Sequence, residues 1–125
     1  MSNLIIESSQ GTPEINFNSS TGVLKIIGRA NANDISLFYK QLDVWLDQYL
    51  LNPKDITTVE LQLEYINSVF SKLLFTFFEK CKSVQQKNKK LIIKWYHHKE
   101  DEDSIDDAIR YSKIINLPIE QVELD

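Results

Sequence analysis

Cysteine, glycine, proline and histidine are all scarce in this chain, and each scarcity narrows what it can be. A single cysteine, Cys81, excludes an internal disulfide framework. Set among Phe77, Phe78 and Val84 in an apolar helical pattern, it reads as a small hydrophobe in a reducing cytoplasm. With 3 Gly and 3 Pro in 125 residues there is no low-complexity tract and no linker. No apolar run approaches a membrane span, and Met1-Ser2-Asn3-Leu4 does not lead from a basic into an apolar stretch, so nothing directs the chain to a membrane. Cations are also short: 14 Lys and Arg against 18 Asp and Glu give a net charge of -4. That balance argues against nucleic acid as a partner, since neutralising a phosphate backbone takes clustered Lys and Arg. The one basic run, Lys80 to Lys90, falls at the end of a helical pattern, where cations complement the helix dipole.

What is present is an ordinary globular composition, 42% hydrophobic and 26% charged, at a length suited to a single domain spanning residues 1–125. Short β-like runs open it at 4–7, 14–18 and 23–28, the last two joined by the hairpin turn Asn18-Ser19-Ser20-Thr21-Gly22. Ile35, Phe38, Tyr39, Leu42, Trp45, Leu46 and Tyr49 then recur at three- and four-residue steps, a helix that Asn33 or Asp34 can cap and Asn52-Pro53 ends. Val59 to Tyr65 alternates apolar and polar without a break, the pattern of a strand with one buried face. After a turn at 66–69, a second helical stripe runs from Phe70 through Val84. Leu91 to Tyr96 reads as a more central strand. A third helix follows with Ile105, Ala108, Ile109 and Ile115 on its buried side and Asp103 or Ser104 as cap, and a last strand occupies 119–124. The order β-β-β-α-β-α-β-α-β implies an α/β domain, a mixed sheet with about three helices on one face, joined by right-handed crossovers.

The turn from Tyr65 to Lys72 runs from a strand end into a helix start, where ligands gather in α/β sheets. Asn67 or Ser68 can cap that helix. Ser68 can equally accept a phosphate, because the unsatisfied N–H groups and positive dipole end of a helix start stabilise added negative charge. A nucleophilic serine needs a base and an oxyanion hole. The chain has no Gly-x-Ser-x-Gly elbow, and His97 and His98 sit together at a later strand end, so a hydrolase using Ser68 with either histidine is the enzymatic alternative. A constitutive scaffold, with Ser68 merely a cap, is the other. The run from His97 to Asp107 lacks the ligand order of a calcium loop and reads as a solvated acidic segment able to face a basic partner surface; no metal or cofactor is expected. Arg29, directly after Gly28, stands at a strand end where it can meet a phosphate or a carboxylate.

Several short motifs occur together along almost the whole length. They are Thr12-Pro13-Glu14, Gly22-Val23-Leu24, Gly28-Arg29, Phe38-Tyr39 with Trp45 and Tyr49, Leu63-Glu64-Tyr65 with Asn67, Ser71-Lys72, Trp95-Tyr96 ahead of the acidic run, and Leu117-Pro118. In this set the chain resembles the SiaC family of bacterial regulatory phosphoproteins. The resemblance implies a fold like the STAS domains of anti-sigma-factor antagonists and a function in partner exchange. A kinase would add a phosphate, a phosphatase would remove it, and the unmodified form would engage a diguanylate cyclase to raise cyclic di-GMP. In that family an Asn-Thr pair followed by serines opens the second helix, and the threonine is the acceptor. Ser68 takes its place here, preserving the hydroxyl, while Val69 and Phe70 stand where serines are usual. The resemblance therefore implies Ser68 as phosphoacceptor, and Asn67, Val69, Phe70, Ser71, Lys72 and Arg29 are expected to form the partner-binding surface around it. An exposed Val69 and Phe70 would form an apolar hot spot, although Phe70 also fits the helix's core register.

Overall fold

The strands lie side by side in the order in which they occur along the chain. β1 (Leu4–Ile6), β2 (Glu14–Asn18) and β3 (Val23–Arg29) form an antiparallel meander; β4 (Ile56–Glu64), β5 (Lys90–His97) and β6 (Glu120–Glu123) extend it parallel to β3. The structure is a computed structural model and describes residues 1–124. Helices α1 (Ser36–Leu51), α2 (Ser68–Cys81) and α4 (Glu102–Ile115) occupy the crossovers, and α3 (Ser83–Gln86) is one extra turn where α2 exits. The helical stripe expected to run unbroken to Val84 is thus split at Lys82, with Val84 still buried.

Period-two alternation decides which side of the sheet is covered. Ile15 and Phe17 of β2, Leu24 and Ile26 of β3, Val59, Leu61 and Leu63 of β4, and Ile93 and Trp95 of β5 are all buried beneath the helices. Phe17 sits between Trp45 of α1 and Phe77 of α2, at centroid distances of 5.2 and 5.7 Å, and Trp95 meets Tyr111 of α4 at 5.6 Å. Each such fully buried side chain stabilises the fold by about 2–3 kcal/mol. Cys81 lies among these groups, completely buried, and that burial pushes its thiol pKa well above the ordinary value. Buried polar atoms are matched: the Trp95 indole N–H donates to the Ser104 hydroxyl at 2.8 Å, and the Tyr49 and Thr57 hydroxyls pair at 2.8 Å.

Two differences from the sequence expectation lie in α4. Its cap is Asp101, whose carboxylate accepts from the Ser104 N–H, rather than Asp103 or Ser104. Its buried face is Ser104, Ala108, Tyr111 and Ile115, leaving Ile105 half-buried and Ile109 exposed. The basic run does not serve its own helix end alone. Lys87 donates to the Leu50 and Leu51 carbonyls at the end of α1, and Lys82 to the Ile115 carbonyl at the end of α4, so both cations meet the negative ends of neighbouring helices. Lys80 pairs with Asp43 and Asp47 of α1, which raises its pKa further. No helix among the described residues is long and apolar enough to cross a membrane.

Candidate functional site

The C-terminal ends of the parallel strands β3 and β4 are neighbours, so the loops that leave them lie together. The strand expected to reach Tyr65 stops at Glu64, because Tyr65 turns into the left-handed region at φ 56° and points outward. The guanidinium of Arg29, at the end of β3, stacks over the Tyr65 ring at 4.5 Å. The backbone ties the loops further: the Ala30 N–H donates to the Glu64 carbonyl, and the Asn67 N–H to the Ala30 carbonyl, each at 3.0 Å.

Asn67 is the centre of this junction and the cap of α2. Its Oδ1 accepts from the Phe70 N–H at 2.9 Å, while its Nδ2 donates to the Ala32 carbonyl at 3.0 Å. Ala32 is held in turn by Gly11, whose carbonyl accepts from the Asn31 and Ala32 N–H groups. Gly11 has φ +104°, and a Cβ there would come within 3.0 Å of the Ala32 nitrogen, so only glycine fits without displacement.

With Asn67 as cap, Ser68 becomes the first residue of α2, which begins earlier than the expected turn through residue 69. The reading of Ser68 as a cap is therefore corrected: one side chain fills that role, and Asn67, held from two sides, fills it. Ser68 is exposed, and its hydroxyl makes no hydrogen bond among the described residues. Its own N–H and that of Val69 are likewise unpartnered, as first-turn donors of a helix are.

The remaining expected site residues separate into surface and core. Val69, 39% exposed, and Lys72, also exposed, line a groove of about 340 Å³ with Asn33, Ile35, Ser36 and Tyr39 from the start of α1. Asp34 lies on the same rim, and its hydrogen bond from the Ser36 N–H holds its carboxyl below the usual range. Phe70 is not part of this surface. It is 1% exposed and packs against Phe38 at 5.6 Å, so the apolar hot spot reduces to Val69. Ser71 is half-buried, and its hydroxyl pairs with the Tyr111 phenol at 2.8 Å, tying α2 to α4. Sequence reasoning missed Tyr39, Tyr111 and the Gly11–Ala32 contact as parts of the site, because each joins it through residues distant in the chain.

On the other side of Tyr65 lies an acidic hollow of about 390 Å³, walled by Glu64, Asp101, Asp103 and Asp107 with Tyr65 and Ile66. Burial raises the Asp107 pKa, Arg110 opposes the rise, and Asp103, Asp101 and Asp106 add to it. The histidines make no hydrogen bond to the serine. The His97 Nδ1 is engaged with the His98 carbonyl at 2.8 Å, and neither imidazole hydrogen-bonds the Ser68 hydroxyl or lines either concavity beside it. The nucleophile–base contact that a serine hydrolase requires is not made.

Fold and site together define a two-layer α/β domain with an open groove and an exposed hydroxyl at a helix start. A family model for the SiaC family regulatory phosphoprotein matches residues 6–124. The chain belongs to the SiaC family, whose members are regulatory phosphoproteins rather than enzymes. Apo-SiaC from Pseudomonas aeruginosa superposes with a TM-score of 0.84 at 20% identity, over 97% of this chain and 98% of that one. A chain in the crystal structure of the diguanylate cyclase SiaD in complex with its activator SiaC, from the same organism, gives 0.88 at 18% identity, over 96% and 98%. No curated protein sequence matches the chain. At these identities the structural likeness speaks for the fold.

Proposed function

We propose that this protein is a phosphorylation-controlled adaptor of the cytoplasm, with Ser68 as phosphoacceptor, a kinase and a phosphatase setting its state, and a diguanylate cyclase as the effector of the unmodified form. The observation that carries the reading is the division of labour at the start of α2. Asn67 performs the capping, which leaves the Ser68 hydroxyl exposed, unbonded and next to two unpartnered N–H groups. A phosphate there gains the helix dipole and those donors. Lys72, one turn further along, supplies a cation at the i,i+4 position.

The same phosphate would change what a partner meets. In the chain Ser68 falls between Ile66, which borders the acidic hollow, and Val69, which lines the groove. Adding close to two negative charges at the start of α2 repels an acidic partner and desolvates poorly under an apolar one. Val69, Lys72 and the exposed pair Arg29 and Tyr65 form the contact surface, with Asn67 and Ser71 holding its shape. The relative solved with a diguanylate cyclase supports the class of effector.

Intact-mass and phosphopeptide analysis of the protein from its native cell, with pull-down of the cyclase by the parent chain and by Ser68→Asp, tests this reading. The expected result is a phosphate on Ser68 and loss of cyclase capture by Ser68→Asp. A Ser68 that stays unmodified in the native cell, with Ser68→Asp binding the cyclase as the parent does, would defeat it.

A further inference from the structure

The sheet face that no helix covers carries a charge pattern complementary to itself. Lys25 of β3, Glu60 of β4, Lys94 of β5 and Glu120 of β6 are successive cross-strand partners, so one row across four mutually parallel strands reads plus, minus, plus, minus. All four project from the face opposite the buried Leu24, Val59, Ile93 and Trp95, and Lys25 and Glu120 at the ends are exposed. Among the described residues none of the four makes an ion pair or side-chain hydrogen bond within the chain. One row toward the strand C-termini, Ile27 and Val122 occupy the outer strands, with Gln62 and Tyr96 between them. A shallow hollow of about 220 Å³ opens here, between Lys25, Ile27, Glu60, Gln62, Tyr96 and Leu124.

We propose that this face docks a second copy of the chain through a two-fold axis parallel to the strands between β4 and β5. That axis reverses strand order while keeping strand direction, the aligned arrangement in which sheets pack face to face. Lys25 then opposes the partner copy's Glu120, and Glu60 opposes its Lys94. In the next row Ile27 meets the second copy's Val122, and Gln62 its Tyr96. A two-fold axis across the strands sets each charge against its own like in the other copy, which electrostatics disfavours. The four parallel strands present a footprint about 20 Å on a side, smaller than a stable pair needs, so the association is weak and reversible. It lies on the sheet face away from the helices and does not depend on the reading of Ser68.

Sedimentation velocity on the full chain, over a concentration series reaching the millimolar range, tests the proposal. The mass should rise from 14.6 kDa toward twice that value. Lys25→Glu and Glu120→Lys should each weaken association about 10-fold or more, and the double variant Lys25→Glu/Glu120→Lys should recover most of the loss. Within one chain these residues stand three strands apart, about 14 Å, too far to compensate for each other, so recovery has to arise between copies. Circular dichroism and thermal melts confirm that each variant folds. A chain that stays at 14.6 kDa at every concentration, single variants that associate as the parent does, or a double variant as weak as the singles would overturn the proposal.

Discussion

The side chain of Asn67 and the carbonyl of Ala32 are joined by a 3.0 Å hydrogen bond that links the start of α2 to the loop leading into α1. The other end of the same amide caps α2 through the Phe70 N–H. Asn67→Ala removes both contacts and should cost about 2 kcal/mol of stability by urea unfolding. Asn67→Asp keeps the cap but sets a carboxylate against the Ala32 carbonyl, so it should lose about 1 kcal/mol despite its favourable charge at a helix start. Equal stability of Asn67→Asp and the parent would show that the Ala32 contact contributes nothing.

Ser68→Ala should behave in the opposite way. The hydroxyl neither caps nor pairs, and alanine is the better helix former, so stability should stay within about 0.5 kcal/mol of the parent. The variant should at the same time lose every phosphorylated species detectable by intact mass. A stability loss of about 1 kcal/mol would return the capping role to Ser68.

Val69 and Phe70 are adjacent in sequence and opposite in consequence. Phe70→Ala opens a cavity beside Phe38 and should cost about 3–5 kcal/mol, visible as a large fall in the thermal midpoint. Val69→Ala, at a surface position, should leave the midpoint almost unchanged and act on cyclase capture instead. Capture unaffected by Val69→Ala would remove Val69 from the contact surface.

These differences show which parts of the molecule local sequence could reveal. The alternation from Val59 to Tyr65 placed Val59, Leu61 and Leu63 in the core because a period of two is a local property of a strand. The stripe from Phe38 to Tyr49 placed α1 because the 3.6-residue period of a helix is equally local. The choice between Asn67 and Ser68 as cap was not legible, since both residue types cap well and the deciding contact is with Ala32, 35 positions away. Of the four residues read as the buried side of α4, Ala108 and Ile115 are buried, while Ser104 and Tyr111 take the places expected of Ile105 and Ile109. Ser104 is a polar residue in a core position, made acceptable by the Trp95 indole, so apolar counting shifted the stripe to Ile105 and Ile109. The groove residues Tyr39 and Ser36 became part of the site only through the adjacency of β3 and β4.

The acidic hollow gives the stability a dependence on pH that one substitution isolates. The carboxyl of Asp107 titrates above its ordinary 3.8, chiefly because it is partly buried, with Asp103, Asp101 and Asp106 adding to the rise and Arg110 opposing it. In the window between 3.8 and that raised value the folded chain holds a proton the unfolded chain has released, so this group's contribution to stability falls as pH rises through the window. At neutrality the charged carboxylate is a net cost, kept small by solvent screening and by the Arg110 pair at 3.1 Å. Asp107→Asn should therefore melt higher than the parent at about pH 7, on the order of 2 °C, and the gap should close toward about pH 4. A variant that melts lower than the parent at neutral pH would mean that the pairing with Arg110 outweighs the burial.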